Sequence, residues 1–134
     1  MENKLKHLEF VQAVINRMAS NSFFIKGWSV TIVSAIFVLA TKDGNHSLVS
    51  VAYLPVIVFW FLDTFFLHQE KMYRKLYDAV RILDVEKIDF NLDASPFANI
   101  VDRYPKIFWS ITLRCFHGVL LLSVIVINVL TKRG

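Results

Sequence analysis

The hydrophobic residues of the chain fall into three long blocks separated by polar segments, at residues 22–40, 47–67 and 107–130. Each block has about the 20 residues that a helix needs to cross a hydrocarbon core of about 30 Å. The polar turn between the first two blocks is short, so these two helices should form an antiparallel hairpin. The pattern therefore predicts an all-α membrane protein with three transmembrane helices in a single domain.

Residues 1–20 precede the first block and have the pattern of an amphipathic helix. Apolar side chains recur there at the helical spacings of three and four, at Leu5, Leu8, Val11, Ile15 and Met18. Charged residues at the intervening positions exclude a membrane span. Two interpretations remain open: the helix lies in the lipid headgroup region, or it packs on the cytoplasmic part of the protein.

The sequence turns polar after residue 67 without any residue that would end a helix. A helical stripe of apolar side chains continues at Met72, Leu76, Val80 and Leu83. We therefore expect the second span, which Pro55 should bend, to extend as one helix to about Asp84. The residues from there to 106 should be mostly loop, with Pro96 opening a short helix and Pro105 preceding the third span.

The distribution of lysine and arginine predicts the orientation of the chain. Eleven of the 15 lie in the N-terminal segment, at Lys26 or between residues 68 and 106, whereas Lys42, Lys132 and Arg133 lie on the opposite side. Basic residues are enriched on the cytoplasmic side of membrane proteins. We therefore expect a bacterial inner-membrane protein with a cytoplasmic N-terminus, a cytoplasmic helix and loop at residues 68–106, and a periplasmic C-terminus.

Four ionisable residues of the predicted spans should lie at a similar depth near the cytoplasmic boundary: Lys26, Asp63, Arg114 and His117. Asp63 is about 6 Å from the end of its span, and Arg114 about 10 Å from the start of its own. A lone charge at that depth is costly, so we expect Asp63 to pair with Arg114 or Lys26. Such a pair either locks the helices together or, with the surplus positive charge, lines a water-filled path or its gate.

A second candidate site is the polar end of the long helix, with cations and aromatic rings at Lys71, Tyr73, Arg74, Lys75, Tyr77 and Arg81. The cations can attract anionic lipid headgroups beside the span. Alternatively, they form a solvated face that Glu70, Asp78 and Asp84 neutralise. A third interpretation is binding of a nucleotide or single-stranded nucleic acid through phosphate contacts and ring stacking.

Motifs of enzymes and of metal sites are absent from the sequence. It has no Walker loop, no GxSxG motif and no HExxH motif. Its single cysteine, Cys115, lies in an apolar block and allows no intramolecular disulfide. We expect a protein without enzymatic activity, metal or cofactor, in which His117 is more typical of an interhelical hydrogen bond than of a catalytic base.

Three segments resemble a family of small bacterial membrane proteins from anti-phage defence islands. They are residues 21–30 (NSFFIKGWSV), residues 59–63 (FWFLD) and residues 68–77 (HQEKMYRKLY). In these residues the chain is similar to the channel-forming effectors of the Hailong system. The resemblance implies an oligomeric ion channel that depolarises the inner membrane during infection. It also implies control by a nucleotide or oligonucleotide, the product of a cytoplasmic nucleotide-signal enzyme that acts as partner.

These observations lead to one hypothesis and one alternative. Three helices cannot enclose an aqueous pore alone, so conduction would require a symmetric ring of identical subunits. The first hypothesis is therefore a homo-oligomeric ion channel or membrane-depolarising effector, gated by a cytoplasmic nucleotide or short nucleic acid. The alternative is a non-conducting membrane anchor or accessory subunit that recruits a cytoplasmic partner through residues 68–106.

Overall fold

A computed structural model describes residues 2–133, so Met1 of the predicted amphipathic helix lies outside the described part of the chain. The α-helices are, in chain order, α1 (Glu2–Asp43), α2 (Leu48–Val51), α3 (Tyr53–Arg81), α4 (Tyr104–Phe108) and α5 (Ile111–Arg133). Two single turns of 3-10 helix, Val85–Lys87 and Ser95–Phe97, lie between α3 and α4. Residues 2–133 contain no strand, which confirms the prediction of an all-α chain.

Three helical stretches are long and apolar enough to cross a membrane: Glu2–Lys42, Leu48–Arg81 and Ile111–Arg133. The chain is therefore compatible with the predicted multi-pass membrane protein. Two of the stretches extend well beyond the apolar blocks of the sequence, because α1 and α3 both continue into the polar part of the chain.

The first helix, α1, is unbroken over 42 residues, which corresponds to a length of about 63 Å. From Glu2 onward, the segments predicted as an amphipathic helix and as a span are thus two parts of one helix. The buried positions Ile15, Ser29 and Val33 continue one inward-facing stripe along it. Both parts of α1 pack along α3 through this stripe, so one unbroken helix can contain both of them.

A break near Pro55 divides the second hydrophobic block into α2 and α3. Proline has no N–H to donate to the carbonyl of Val51. Instead, the N–H of Ala52 donates to the carbonyl of Val49 at 3.1 Å, and α3 begins at the next residue. The helix then runs without interruption through the predicted end of the span and stops at Arg81, three residues before the expected Asp84.

The third hydrophobic block is also divided, which corrects the expected start of the span at Ile107. Pro105 lies in the first turn of α4, and the chain leaves helical geometry at Trp109 and Ser110 before α5 begins. The indole Nε1–H of Trp60 donates to the carbonyl of Phe108 at 2.8 Å. In a continuous helix that carbonyl would accept the N–H of residue 112, so the contact with Trp60 replaces a helical hydrogen bond.

The helices form two adjoining lobes. We call residues 22–67 and 111–133 the apolar bundle, and residues 2–19 and 68–106 the polar lobe. The polar lobe has its own hydrophobic cluster, which joins α1, α3 and the loop through Val11, Ile15, Met72, Leu76, Val80, Ala94 and Val101. The N-terminal part of α1 thus packs on α3 and on the loop, as the second of its two interpretations proposed.

The bundle is held by a second cluster at Val33, Ala52, Val56 and Val124, where α1, α2, α3 and α5 meet. A third cluster, of Trp60, Ile107 and Leu113, lies at the junction with the polar lobe. The ring of Trp60 stacks on that of Phe108 at 4.2 Å. Helix α1 packs along nearly the whole of α3, whereas α5 packs mainly on α2 and α3.

Candidate functional site

Three helices bring polar side chains together around Asp63, at the junction of the apolar bundle and the polar lobe. The Asp63 carboxylate is fully buried. Its Oδ2 accepts from Lys26 Nζ of α1 at 2.5 Å and lies 2.8 Å from His117 Nε2 of α5. Its Oδ1 accepts from the hydroxyl of Ser22. We call these four residues the Asp63 cluster.

Local helix geometry explains how these partners reach one carboxylate. Ser22 and Lys26 are one turn apart on α1 and therefore share a face. Lys26 Nζ also donates to Ser22 Oγ at 2.9 Å, so the hydroxyl links the ammonium to the carboxylate. On α5, His117 follows the fully buried Leu113 by one turn and faces the same way.

The surroundings of the cluster are aromatic, and most of the cluster is shielded from solvent. The ring of Trp60 stacks on the imidazole of His117 at 5.8 Å, and Lys26 Nζ lies 6.0 Å from the ring centre of Phe116. Asp63 and His117 have no exposed side-chain surface, whereas Lys26 retains 19%. An unpaired carboxylate in such a place would be strongly destabilising, so its three donors are what makes its burial tolerable.

Of the two partners expected for Asp63, the structure supplies Lys26 and not Arg114. Arg114 is exposed and makes no ion pair among the described side chains. Leu113 and His117 define the inward face of α5, and a step of one residue turns the side chain about 100° away from Leu113. The expected charge layer is therefore a compact cluster of Lys26, Asp63 and His117, with Arg114 outside it.

The polar lobe contains a cavity of about 420 Å³ that three of the predicted ligand-binding cations line. We call it the basic cavity, and its lining residues are Lys71, Arg74, Lys75, Asp78, Ile100, Val101 and Asp102. Lys71 Nζ lies 3.7 Å from the Asp102 carboxylate, and Arg74 pairs with Glu70 at 2.9 Å. Lys75 makes no ion pair within residues 2–133.

Together with the exposed Asp78, Asp102 gives the basic cavity two carboxylates as counter-charges. Its Oδ1 lies 3.3 Å from Lys106 Nζ. The hydrogen bond from Lys106, followed by the interaction with Lys71, holds the pKa of the Asp102 carboxyl below its ordinary value. The carboxylate thus remains ionised at neutral pH and neutralises part of the charge that an anionic ligand would meet.

The remaining residues of the predicted binding face lie elsewhere. Tyr73 and Tyr77 are partly buried and pack against the hydrophobic cluster of the polar lobe, so they do not line the basic cavity. Arg81 is exposed at the end of α3 and does not line it either. The structure therefore brings together Lys71, Arg74 and Lys75 and separates the aromatic rings from them.

Sequence reasoning missed the contact that fastens the loop to α1. His7 is buried, its Nε2 lies 2.8 Å from the carbonyl oxygen of Asn91, and its ring stacks on Phe90 at 5.7 Å. Phe90 has a positive φ of 55°, which turns the chain at this point. The signal available was the spacing of four between His7 and Val11, which places the histidine on the apolar stripe.

The fold defines the class of protein: an all-helical chain with three helices long and apolar enough to cross a membrane. A buried polar cluster lies where two of these helices, α1 and α3, enter the folded polar lobe. Comparisons with protein-family models, with curated proteins and with solved structures give no match. The geometry of the chain is therefore the basis for the proposals that follow.

Proposed function

We propose that this protein is a homo-oligomeric, ion-conducting effector of the bacterial inner membrane. Its N-terminus and polar lobe would lie in the cytoplasm and its C-terminus in the periplasm, as the distribution of basic residues favours. The observation that carries the proposal is the Asp63 cluster, a buried ion pair at the point where α1 and α3 pass from the apolar bundle into the polar lobe. That lobe contains the basic cavity, which is large enough for a small ligand.

Continuous helix connects the two sites. Lys71, the first cation of the basic cavity, follows Asp63 by eight residues of unbroken α3, or about 12 Å along the helix. Rigid secondary structure of this kind transmits small displacements between sites. A ligand that moves the end of α3 therefore also moves Asp63 relative to His117 of α5.

Conduction would require several copies of the chain. The centre of the apolar bundle is filled by Val33, Val56 and Val124, each of which is at most 1% exposed. A water path would thus form between subunits of a ring rather than within one subunit. The exposed Arg114 lies on a surface that such contacts would cover, and there it would supply a fixed positive charge.

The ligand would be anionic, and its phosphates would be recognised more than its bases. Lys and Arg side chains are the usual partners of phosphate groups, and the basic cavity offers Lys71, Arg74 and Lys75. No aromatic ring lines this cavity. A nucleotide or short oligonucleotide from a cytoplasmic partner enzyme, as the family resemblance implies, fits this chemistry.

Ion flux from liposomes tests this function. Purified protein would be reconstituted with bacterial phospholipids, and flux of a fluorescent ion indicator would be measured with and without nucleotides or short single-stranded DNA in the medium. We expect a ligand-dependent change in flux that the double variant Arg74→Gln, Lys75→Gln abolishes. The matched control is Lys87→Gln, which removes an exposed cation of the same lobe.

Two results would contradict the proposal. One is a flux equal to that of empty liposomes under every ligand condition, together with normal growth and full membrane potential on induced expression in cells. The other is a monomer in a mass measurement of the solubilised protein, since one chain cannot enclose a pore.

The alternative, a non-conducting anchor that recruits a cytoplasmic partner, has one observation in its favour. The polar lobe has its own hydrophobic cluster and is a folded surface rather than a loose loop. This alternative predicts that changes at Asp63 alter only the stability of the protein, while changes in residues 68–106 abolish capture of the partner.

A further inference from the structure

Two cavities on one side of the molecule meet at Tyr104 and Pro105, which line both of them. One cavity lies in the polar lobe, and the other lies at the junction of that lobe with the apolar bundle. We propose that together they bind one phospholipid with an anionic headgroup, with the phosphate in the polar cavity and an acyl chain in the apolar groove. This lipid site shares no lining residue with the basic cavity.

The polar cavity has a volume of about 430 Å³, and its lining residues are His68, Gln69, Met72, Ala98, Asn99, Arg103, Tyr104 and Pro105. His68 is only 5% exposed, and its Nδ1 has no hydrogen-bond partner within residues 2–133. Since Nε2 is not among the fully buried atoms and makes no hydrogen bond in residues 2–133, it is the ring nitrogen that a ligand in the cavity can reach.

The side chains around His68 match a phosphodiester. Arg103 is exposed and makes no ion pair in the described part of the chain, so its guanidinium is available for two phosphate oxygens. The imidazole Nε2–H can donate to a phosphate oxygen, and the amides of Gln69 and Asn99 can bond to the hydroxyls of a headgroup. The His68 ring is held in place by stacking on Tyr104 at 4.2 Å.

The apolar groove has a volume of about 390 Å³, and its lining residues are Phe61, Thr64, Phe65, Tyr104, Pro105, Phe108 and Trp109. The Thr64 hydroxyl donates to the carbonyl of Trp60, so it has no hydrogen-bond donor left for the groove. Phe61 and Trp109 are about 60% exposed. A lining of this kind suits a hydrocarbon chain.

The order of the two cavities is what selects a lipid over other ligands. Along α3, the groove residues Phe61 and Phe65 precede the cavity residue His68, so the apolar part faces the bundle and the polar part faces the polar lobe. A phospholipid in the cytoplasmic leaflet has the same order, with its headgroup at the boundary of the bundle. A free phosphate would occupy the polar cavity alone, and a detergent tail would occupy the groove alone.

The proposal requires that the helices lie in a membrane, but it requires neither conduction nor a ligand in the basic cavity. A failure to observe ion flux would therefore leave it intact. Basic pockets at the cytoplasmic ends of transmembrane helices commonly hold anionic headgroups, and this site adds an acyl-chain groove that fixes where the lipid lies.

Quenching of Trp109 fluorescence tests the site. The full chain in a mild detergent would be titrated with phosphatidylglycerol or phosphatidylcholine carrying brominated acyl chains, and the signal of a Trp109→Phe variant would be subtracted to assign the quenched residue. We expect saturable quenching of Trp109 at lower concentrations of the anionic lipid. Arg103→Gln should weaken binding of phosphatidylglycerol about tenfold, with little effect on phosphatidylcholine.

Variants at matched positions keep the result interpretable. Arg103→Lys retains the charge and should recover most of the binding, and Lys87→Gln should leave it unchanged. Equal quenching by the two lipids that Arg103→Gln does not alter would overturn the proposal, since any surrounding lipid would then suffice. Displacement of the brominated lipid by millimolar inorganic phosphate alone would also overturn it, because the site would then recognise free phosphate.

Discussion

The substitution Asp63→Asn removes one negative charge from the Asp63 cluster while almost preserving the volume of the side chain. Lys26 Nζ at 2.5 Å and His117 Nε2 at 2.8 Å both contact Oδ2, so an amide oxygen at that position still accepts from both. The NH2 group then takes the position of Oδ1 and faces the hydroxyl of Ser22. The variant therefore leaves the ammonium of Lys26 without a counter-charge.

The size of the effect follows from the burial of the two charges. Removing one partner of a buried ion pair costs about 3–5 kcal/mol of the free energy of unfolding. Lys26 retains 19% of its side-chain surface, so solvent can take up part of its charge in the variant. We therefore expect a loss of about 2–4 kcal/mol, at or just below that range.

Unfolding in detergent micelles with increasing sodium dodecyl sulfate, followed by circular dichroism, measures this loss. Glu86→Gln, which removes an exposed carboxylate of the polar lobe, is the control and should stay within about 0.5 kcal/mol of the unsubstituted protein. Replacing both charges, as Lys26→Met with Asp63→Leu, should cost less than the sum of the single substitutions, because no unpaired charge remains. The reasoning is refuted if the double substitution lowers the free energy of unfolding by the sum of the two single effects. It is also refuted if Asp63→Asn lowers it no more than Glu86→Gln does.

Three further predictions concern the Asp63 cluster, the packing of the polar lobe and the basic cavity. Exchanging the two charges, in the double variant Lys26→Asp, Asp63→Lys, should restore part of the stability that either single substitution removes. The double variant Asp63→Arg, Arg114→Asp should restore none, because Arg114 does not contact Asp63. The same unfolding assay measures both. If α1 packs on α3 in the polar lobe, Ile15→Ala should lower the free energy of unfolding by about 2–4 kcal/mol, because Ile15 is buried. The control Gln12→Ala, at an exposed position of the same helix, should lower it by less than about 0.5 kcal/mol. Asp102→Asn should strengthen binding of short single-stranded DNA to the basic cavity, measured by fluorescence titration of the solubilised protein. Because the pKa of Asp102 is lowered in the folded protein, its contribution to stability is present above the ordinary carboxyl pKa and is lost as pH falls through the lowered value; comparing the unfolding of Asp102→Asn and of the unsubstituted protein across that pH range measures it.

Local sequence pattern was sufficient for the helices, because hydropathy and helical periodicity depend on neighbouring residues. The three apolar blocks, and the continuation of α3 past residue 67, follow from such patterns alone. The ends of the helices did not follow from them. The break before α5 depends on the indole of Trp60, 48 residues from the Phe108 carbonyl that it contacts, and no local pattern reveals such a donor.

The candidate site shows a similar division. Counting residues along each span gives the depth of a side chain but not the direction in which it points around the helix. Depth alone places Lys26, Asp63, Arg114 and His117 in one layer, and it cannot separate Arg114 from the others because it carries no information on direction. The inward stripe of α5, through Leu113 and Val124, would have excluded it. The contact of His7 with Asn91 joins residues 84 positions apart and could not be predicted without the fold.

The architecture also indicates which contact of the Asp63 cluster should open during gating. The polar lobe fastens α1 to α3 through the cluster that contains Ile15 and Leu76, so Lys26 and Asp63 should move as one unit. Helix α5 is separated from the polar lobe by the break at Trp109 and Ser110 and contacts α1 little. The contact that a displaced lobe would break is thus the one between Asp63 and His117.

Cross-linking tests this order of motion. In a Cys115→Ala background, cysteines at Val56 and Val124, which belong to one buried cluster, would tie α3 to α5. Cysteines at Val33 and Ala52 of the same cluster would tie α1 to the α2–α3 connection and serve as the matched control. Oxidation of the first pair should abolish ligand-dependent flux and leave ligand binding intact, whereas oxidation of the second pair should leave both unchanged. Suppose instead that oxidation of the Val33 and Ala52 pair abolishes flux and oxidation of the Val56 and Val124 pair does not. The moving contact would then be the one between Lys26 and Asp63, because a disulfide between α1 and the start of α3 can block flux only if those helices separate.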